Sequence, residues 1–401
     1  MNRRCDALII GGGPAGATAG CLLARAGWCV VIAERQRFPR RKVCGEYLSG
    51  TNRPLFAELG VRDAFDAAAG PDVRRVGLFA GSAEIVASLP KPERGWGRAC
   101  PRDRLDKQML DLAADAGAEI LQPCEVESLT SDGDGWHCRT QSHGEIQSAI
   151  VIAAHGSWHA GALPTQPKRR RPHGSDLFGF KAHFRNTQLP SDLMPLLSFP
   201  GGYGGMVHVG DDTISLSCCV RRDALARWRA GSSADAGEVV ESHIRSSCVG
   251  VGRALDGAER VDHWLAAGPI RPGMRLRWPR GIFAVGNAAG EAHPVVAEGI
   301  STAMQSAWLL TRELERWGRR SGKSIGLTEV AERYAGRWRR SFRPRLIASE
   351  IIARWAMSPR LMSASIPILR RCPAILTWGA AVSGKSTRVI HNPVLATASV
   401  P

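Results

Sequence analysis

The first 34 residues alternate between apolar runs of strand length and one stretch with the composition of a buried helix. Cys5–Ile10 is the first apolar run, and Pro14–Ala26 is the helical stretch, which begins at a proline and stops at Gly27. Trp28–Glu34 is a second apolar run, and it ends in an acid. This order predicts a βαβ unit with a tight glycine turn between its first strand and its helix.

Later segments show the same two periodicities at longer intervals. Gly210-Asp211-Asp212 between two alternating runs is a hairpin signal. The other predicted elements are strands at Val76–Ala80, Glu84–Ser88, Ile150–Ala154, Met206–Val209, Thr213–Val220 and Ile282–Val285, helices at Asp103–Ala116 and Ile300–Trp317, and several helices after Thr328.

The order of these elements predicts an α/β (α+β) fold in which sheet-like sequence interrupts a nucleotide-binding domain. The Rossmann-like domain is predicted at 1–75, 100–160 and 280–327. An inserted, mostly antiparallel sheet domain that binds substrate is predicted at 76–99 and 161–279. A helical region is predicted at 328–401.

The chain is strongly basic. Among its 401 residues, 53 are Lys or Arg and 37 are Asp or Glu, so the formal net charge is +16 and the isoelectric point is about 9.9. Such a charge favours anionic partners, namely nucleotides, nucleic acid or an acidic membrane face, although an arginine-rich genome would produce the same excess. No nucleic-acid-binding motif accompanies the charge, so we expect no nucleic-acid partner.

Cysteine usage and hydropathy indicate the cellular compartment of the protein. The 11 cysteines are odd in number and form no CxxC pair, which indicates a reducing cytoplasm and no disulfide framework. No metal site is predicted. The apolar run near the N-terminus ends in a glycine loop and is unlike a signal peptide. No run of 18 apolar residues occurs, so we expect a cytoplasmic protein, with peripheral contact at the inner face of the membrane as a further expectation.

The glycine turn has the spacing of a dinucleotide-binding loop, Gly11-Gly12-Gly13-Pro14-Ala15-Gly16. Glu34 follows Gly16 by 18 residues, where an acid accepts a hydrogen bond from a ribose hydroxyl. The helix N-terminus after the loop favours a pyrophosphate. This motif alone fits NAD as well as FAD. The cofactor-binding residues predicted here are Gly11, Gly13, Pro14, Ala15, Gly16, Glu34 and Arg35.

A second glycine-rich segment, 281–300, distinguishes the two cofactors. It resembles the second FAD signature of para-hydroxybenzoate hydroxylase-like flavoproteins, in which a strand is followed by a GD segment, a proline and a long helix. Asn287 stands where that family has Asp. The resemblance implies that Gly286, Asn287, Pro294, Gly299 and Ile300 contact FAD, with the helix N-terminus directed at the flavin.

Two shorter segments extend this resemblance. Arg102-Asp103-Arg104-Leu105-Asp106 is similar to the R-x-x-L-D helix of the family, whose arginine lies near the flavin. Val151–Ser157 lies where the family carries A-D-G, and His155 replaces the Asp. This change weakens the expectation of direct nicotinamide use. His155 is either an acid/base with a pKa near neutrality or a polar loop residue.

The loop Pro39–Ser49 indicates the branch of the family. It resembles the P-x-x-K-x-C-G-x-x-L-S segment of geranylgeranyl reductase-like flavoproteins, whereas the G-W-x-W-x-I-P segment of flavin-dependent halogenases does not occur in this chain. The resemblance places Lys42, Cys44 and Gly45 at the flavin. Tyr203 matches a tyrosine of these reductases, and Gly205 replaces their tryptophan, which implies a reshaped pocket.

The resemblance implies a function. We expect FAD to be reduced by an external donor such as NAD(P)H and to reduce an alkene of a lipophilic specialised metabolite, of isoprenoid or polyketide type, through hydride transfer from flavin N5. The predicted catalytic residues are Cys44, Tyr203 and His155. An FAD-dependent monooxygenase that activates O₂, through a flavin C4a-hydroperoxide, and a non-catalytic FAD-binding partner protein are the alternatives.

The C-terminal segment bears on the substrate. Arginines alternate there with Trp338, Phe342, Ile351, Trp355 and other apolar residues. Basic amphipathic helices of this kind lie on anionic membranes, and helices packed on the core with arginines in solvent would show the same pattern.

Overall fold

The computed structural model describes residues 3–90, 92, 95–133, 135–157, 161, 163–166, 168, 170–276, 278–318, 326–385 and 389–390. The strands of this part are β1 (Arg3–Ile10), β2 (Val30–Ala33), β3 (Tyr47–Leu48), β4 (Arg75–Ala80), β5 (Ala83–Ser88), β6 (Arg98–Ala99), β7 (Glu119–Leu121), β8 (Val126–Ser131), β9 (Trp136–Thr140), β10 (Glu145–Ala153), β11 (Leu177–Arg185), β12 (Leu193–Phe199), β13 (Gly202–Gly210), β14 (Thr213–Arg221), β15 (Glu259–Arg260), β16 (Leu265–Ile270), β17 (Gly273–Met274), β18 (Ile282–Ala284) and β19 (Gly290–Glu291).

Helices connect and cover these strands. They are α1 (Pro14–Arg25), α2 (Arg53–Leu59), α3 (Arg62–Ala68), α4 (Arg102–Asp115), α5 (Arg222–Arg229), α6 (Ala236–Ser247), α7 (Val249–Ala254), α8 (Gly299–Gly318), α9 (Leu327–Ala356), α10 (Pro359–Arg371) and α11 (Ala374–Ala380). A π-helical turn, Ala381–Lys385, follows α11. Residues 391–401 of the predicted C-terminal region lie outside the described part.

The first sheet has a parallel core in the order β7-β2-β1-β10-β18, and the hairpin β8–β9 pairs with the first half of β10. Side chains of β1 enter two separate cores, because Ala7 and Ile9 pack on the face of α1 while Leu8 and Ile10 pack on the opposite face. A strand buried on both faces needs apolar residues at nearly every position. The apolar run Cys5–Ile10, interrupted at the exposed Asp6, therefore predicted β1, which begins two residues earlier in the structure.

The second sheet is mostly antiparallel. Its order is β15-β11-β14-β13-β12-β4-β5, with β16 also paired to β11, and among its described strands only β4 and β12 are paired in parallel. The hairpin between β13 and β14 turns at Asp211 and Asp212, whose φ angles of 52° and 51° suit a type I′ turn. The predicted strand pairs 76–88 and 206–220 are confirmed, each with ends shifted by one to a few residues.

Three helices in the middle of the chain differ from the sheet predicted for 161–279. α5, α6 and α7 follow β14, and their apolar residues Val240, Ile244 and Val251 pack against Phe184 and Leu216 of the second sheet. One face of an antiparallel sheet that carries large apolar side chains requires such a cover. The mixed α/β class predicted from sequence is confirmed, and the domain boundaries stay a prediction.

The C-terminal helix α9 belongs to the core. Tyr334, Trp338 and Phe342 are buried in the same cluster as α1 and α8, and Tyr334 Oη donates to the carbonyl of Ala284 at 2.7 Å. Further along α9, Ala353 packs against the second sheet. No helix among the described residues is both long enough and apolar enough to cross a bilayer.

Candidate active site

A cavity of about 690 Å³ lies where the two sheets and the C-terminal helices meet. Its walls come from the glycine loop at Gly13–Ala15, the loop Lys42–Tyr47, strands β13 and β14, the segment 286–303 and helices α9 to α11. Most of the residues predicted from sequence line it: Gly13, Pro14, Ala15, Lys42, Cys44, Gly45, Arg102, Tyr203, Gly286, Asn287, Pro294, Gly299 and Ile300.

The glycine loop is shaped by two close backbone approaches. Gly11 has φ +108°, and a Cβ atom there would lie 2.7 Å from the carbonyl oxygen of Ala154. A Cβ atom on Gly16 would overlap the carbonyl of Gly11, so α1 can begin this close to β1 only with glycine at that position. Gly13 precedes α1, and no side chain caps the helix there. Such an N-terminus suits a phosphate.

Basic side chains surround this helix N-terminus. Arg102 is buried and forms two hydrogen bonds to Asp106, of 2.7 and 2.8 Å, and its Nη2 lies 4.0 Å from the Cβ position of Gly13. Burial lowers the pKa of Lys42 to about 8, and the neighbouring Arg102 and Arg40 add to this effect. An anion placed among these cations would relieve their mutual repulsion. The cluster therefore fits a pyrophosphate.

Glu34 lies at the end of β2, where the motif predicted it. Its carboxylate accepts the backbone N–H of Gly12 at 2.7 Å and that of Gln36 at 2.9 Å, while Arg40 lies 3.8 Å away. Arg35 is exposed. Glu34 thus stabilises the glycine loop in this structure, and its contact with a ribose stays a prediction, as does that of Arg35.

The segment after β18 lines the cavity beside the glycine loop, since a Cβ atom on Gly286 would lie 3.1 Å from that of Ala15. Asn287 donates to Glu291 at 2.9 Å, and Glu291 also accepts the hydroxyl of Ser157 at 2.6 Å. α8 begins at Gly299 and runs for 20 residues, so its positive end faces the cavity. Lys385, which sequence reasoning missed, also lines the cavity and donates to the carbonyl of Val296 at 2.6 Å.

The three predicted catalytic residues are placed differently. Cys44 and Tyr203 line the cavity, with Cys44 half-buried and Tyr203 buried. The Cys44 sulfur accepts the backbone N–H of Glu46 at 3.4 Å and lies within hydrogen-bonding reach of Arg102. His155 is not among the described residues that line the cavity, and its Nδ1 lies 2.9 Å from the carbonyl oxygen of Gly156. Its catalytic role stays a prediction without geometric support.

A buried ionic network behind Cys44 was missed in the sequence. Glu46 is buried, has φ 62°, forms an ion pair with Lys181 and accepts from Arg102 N–H at 2.8 Å. Its second oxygen lies 2.8 Å from His183 Nε2, and His183 Nδ1 lies 3.3 Å from Asp262. Burial works to raise the pKa of Glu46, but His183 and Lys181 outweigh it and hold the pKa at about 2. The network fixes the Cys44 loop to β11.

These features define a class of protein, a two-sheet flavoprotein whose cavity is lined by a dinucleotide loop and by the N-terminus of a second helix. The FAD binding domain family matches residues 4–335, and the chain belongs to this family. FAD is its cofactor, and it is an FAD-dependent oxidoreductase. The resemblance to geranylgeranyl reductase-like flavoproteins of the para-hydroxybenzoate hydroxylase fold is confirmed at the level of the fold.

Similar proteins include both reductases and halogenases. A menaquinone reductase of Mycolicibacterium smegmatis is 25% identical over 407 residues, which cover 96% of this chain and 92% of that protein. A tryptophan 2-halogenase of Chondromyces crocatus is 25% identical over 314 residues, which cover 75% of this chain and 59% of the halogenase. The solved structure of a geranylgeranyl bacteriochlorophyll reductase-like protein from Thermoplasma acidophilum matches with a TM-score of 0.73 at 17% identity, covering 97% of this chain and 98% of that one.

The residues around the cavity fit FAD. The uncapped start of α1 and the cations Arg102 and Lys42 suit its pyrophosphate. The start of α8 presents its positive end to the cavity, which would suit the negative charge of a reduced flavin. When bound, FAD supplies hydride or activates O₂, and the protein contributes binding, orientation and protons.

Proposed function

We propose that the protein reduces a carbon–carbon double bond of a lipophilic metabolite with an isoprenoid or polyketide-type chain, using FAD reduced by an external donor such as NAD(P)H. The observation that carries the proposal is the outer half of the cavity. There its walls are apolar side chains of the C-terminal helices, among them Ile352, Trp355, Leu369 and Leu376. An apolar chain that enters between these helices is removed from water, at a gain of about 25 cal/mol per Å².

Two side chains of the cavity can provide the proton that completes alkene reduction. Tyr203 lies on β13 with its hydroxyl buried, and Cys44 lies in the loop Lys42–Tyr47 beside Arg102. Burial raises the pKa of Tyr203 well above its ordinary value, so this side chain stays protonated at neutral pH. Gly205, two residues after Tyr203, also lines the cavity, and a Cβ atom there would meet only the carbonyl of Pro195 at 3.3 Å. This leaves room for substrate beside the tyrosine.

The test is anaerobic turnover. The FAD-loaded protein is mixed with NADH or NADPH without O₂, and bleaching of the flavin identifies the donor. The reduced protein is then given menaquinone-4 or geranylgeraniol as probe, and products are analysed by mass spectrometry. We expect a gain of two hydrogen atoms in the isoprenoid chain without O₂, which fragmentation after reoxidation of the quinol ring distinguishes from reduction of the quinone. Incorporation of oxygen into the product that occurs only in air would contradict the proposed reductase activity and support the monooxygenase alternative.

Variants distinguish the two proton donors. In the proposed reaction Tyr203→Phe lowers turnover at least tenfold because general-acid catalysis contributes about 10²–10⁴-fold. Cys44→Ser should keep most of the wild-type turnover. The opposite pattern would assign the proton to Cys44, and unchanged turnover in both variants would remove both residues from the reaction.

We also propose that the mouth of the cavity rests on an anionic membrane. Ile351, Ile368 and Trp378 line the cavity and are yet 63%, 60% and 69% exposed, and they lie on α9, α10 and α11. Residues 351–385 contain four arginines and one lysine but no Asp or Glu. Exposed apolar groups among cations are the features of an interfacial surface that binds acidic lipids. A lipophilic substrate would reach the flavin there without crossing water.

Flotation with vesicles tests this surface. The full-length protein is mixed with phosphatidylglycerol–phosphatidylcholine vesicles, and the variants Ile368→Asp and Trp378→Asp are compared with it. We expect both variants to lose most binding, since each places a carboxylate at the lipid interface. Val86→Asp is the matched control, because Val86 is exposed on β5, outside these helices. Equal flotation of all four proteins would overturn the proposal.

A further inference from the structure

Tyr203 is not isolated in its pocket. Its hydroxyl oxygen lies 3.3 Å from Nδ1 of His293, and Nε2 of the same ring lies 2.8 Å from Glu350 Oε2. Tyr203 and His293 are buried and line the cavity, whereas the Glu350 side chain is 40% exposed. The three side chains therefore form a continuous path of hydrogen-bonding groups from solvent to the cavity.

Three distant parts of the chain build this path. Tyr203 is on β13, His293 follows β19, and Glu350 is on α9. The backbone N–H of His293 donates to Ser349 Oγ at 3.0 Å, which fixes the histidine to α9 one residue before its carboxylate partner. A histidine held at its backbone and at one ring nitrogen has a defined orientation. In this arrangement Tyr203 is the acid, His293 is its partner base, and Glu350 is the third group that orients the base.

We propose that His293 and Glu350 return a proton to Tyr203 after Tyr203 has protonated the bound molecule. This rests on the proposed alkene reduction and names the source of its proton. His293 and Glu350 act through Tyr203 and are positioning residues for that proton.

The proton moves through the chain's own groups. The O–H bond of Tyr203 breaks as its proton forms a C–H bond in the bound molecule, which leaves a phenolate. The imidazolium form of His293 gives its Nδ1 proton to that oxygen, which restores the phenol and leaves the neutral Nε2–H imidazole. This neutral imidazole takes up one proton from water at the surface beside Glu350, which regenerates the imidazolium. The net result is one proton moved from solvent to the bound molecule, with Tyr203 and His293 unchanged.

The charges around His293 set its acidity. Burial lowers the pKa of His293, while Glu350 is the strongest opposing influence and Glu291 of β19 acts in the same direction as Glu350. Arg354 pairs with Glu350 at 2.6 Å and lowers the pKa of His293. At neutral pH the imidazole is therefore mostly neutral. Its Nε2–H donates to Glu350, and its Nδ1 accepts the Tyr203 hydroxyl. The imidazolium form, when it arises, is a strong enough acid to reprotonate a phenolate at once.

The test begins with the substrate-free, FAD-loaded protein. With ¹⁵N-labelled histidine, the ring nitrogens of His293 are followed by NMR through a pH titration, with His293→Gln used for assignment. We expect the Nε2–H tautomer in the wild type. In Glu350→Gln the titration midpoint should fall by about one pH unit, since an adjacent carboxylate shifts a pKa by one unit or more. The same substitution at exposed Glu332 of α9 should leave the midpoint unchanged.

The kinetic arm uses the anaerobic assay with menaquinone-4 or geranylgeraniol. In Glu350→Gln we expect kcat at neutral pH to fall about tenfold, and its decline with rising pH to begin about one unit lower. KM and the rate of flavin reduction by the donor should not change. Glu350 is partly exposed, so this variant should fold.

The two arms separate the possible failures. An unchanged His293 midpoint in Glu350→Gln overturns the path, whatever the protein catalyses. A shifted His293 midpoint with an unchanged pH profile of turnover would show that His293 and Glu350 are coupled but do not deliver the proton. This result also overturns the proposed path. If the wild type reduces neither probe, the proposed function fails, and the NMR result still decides whether His293 and Glu350 are coupled.

Discussion

At the scale of single residues, Glu46 is the most constrained charge beside the site. It is buried between Lys181, His183 and the backbone of Arg102. We predict that Glu46→Gln lowers the free energy of unfolding by about 3–5 kcal/mol, because it leaves the buried ammonium of Lys181 without a counter-charge. Urea unfolding measures this. The double variant Glu46→Gln/Lys181→Met should regain most of the loss, and no recovery would contradict the explanation.

The lowered pKa of Glu46 also predicts that the stability of the folded protein depends on pH. Its pKa is held at about 2 in the folded protein, against an ordinary value of 4.5. An acid whose pKa is lowered by folding stabilises the folded state above its unfolded pKa, and this contribution is lost as the pH falls between these values. We therefore expect thermal denaturation to show a steeper loss of stability between about pH 4.5 and pH 2 in the wild type than in the double variant. Parallel curves would contradict this.

At the scale of elements, the close approach of α1 to β1 depends on Gly16. We predict that Gly16→Val abolishes FAD retention, since its Cβ would overlap the Gly11 carbonyl and displace the phosphate loop. The measurement is the visible absorbance of the purified protein after desalting. Gly20→Ala on the same helix is the control, because its Cβ would meet the movable end of the Ile32 side chain. Flavin bound equally by both variants would refute the assignment.

Helix α9 supports the loop after β18 through Trp338. Its indole is fully buried, and a Cβ atom on Gly290 would overlap it. We predict that Trp338→Ala costs about 3–5 kcal/mol of stability, as for other large core truncations, and weakens FAD binding because the loop after β18 loses its support. Trp378→Ala removes an exposed indole of α11 and should be near neutral in the same thermal melt. Similar losses in both variants would contradict this packing.

At the scale of the whole molecule, the charge of +16 predicts how membrane binding depends on salt. The Debye length falls from about 10 Å at 0.1 M salt to about 3 Å at 1 M. Flotation with anionic vesicles should therefore decrease steeply as NaCl rises over this range, while the apolar contacts of Ile368 and Trp378 leave a residual fraction bound. Salt-independent flotation would indicate that the arginines of α9 and α10 do not contact lipid. Neutral phosphatidylcholine vesicles are the control.

The glycine loop shows how far local sequence predicts this protein. Gly11 and Gly16 are dictated by contacts within the first 16 residues and with Ala154, and the same residues carry the motif. The positive φ of Gly11 and the contact of Gly16 with Gly11 are local, and short-range steric rules of this kind can be recognised in a single sequence. The hairpin at Asp211 and the cavity positions of Cys44 and Tyr203 were predictable for the same reason or by resemblance.

The contacts that shape the chemistry could not be predicted in this way. His293 and Glu350 are separated by 57 positions, and Glu46 and Lys181 by 135. No periodicity or motif links such pairs, because they meet only when separate elements pack.

The sequence by itself determined the βαβ unit, the two glycine-rich segments and the excess of positive charge, since each follows from local backbone sterics or from composition. It indicated FAD through the resemblance of segment 281–300 to a known FAD signature. Only the tertiary structure decided that α9 is part of the core and that Tyr203 contacts His293. It also decided that partly exposed apolar residues of α9 to α11 line the cavity. The physical reason is that burial and long-range hydrogen bonds arise only when elements that are distant in sequence pack against each other.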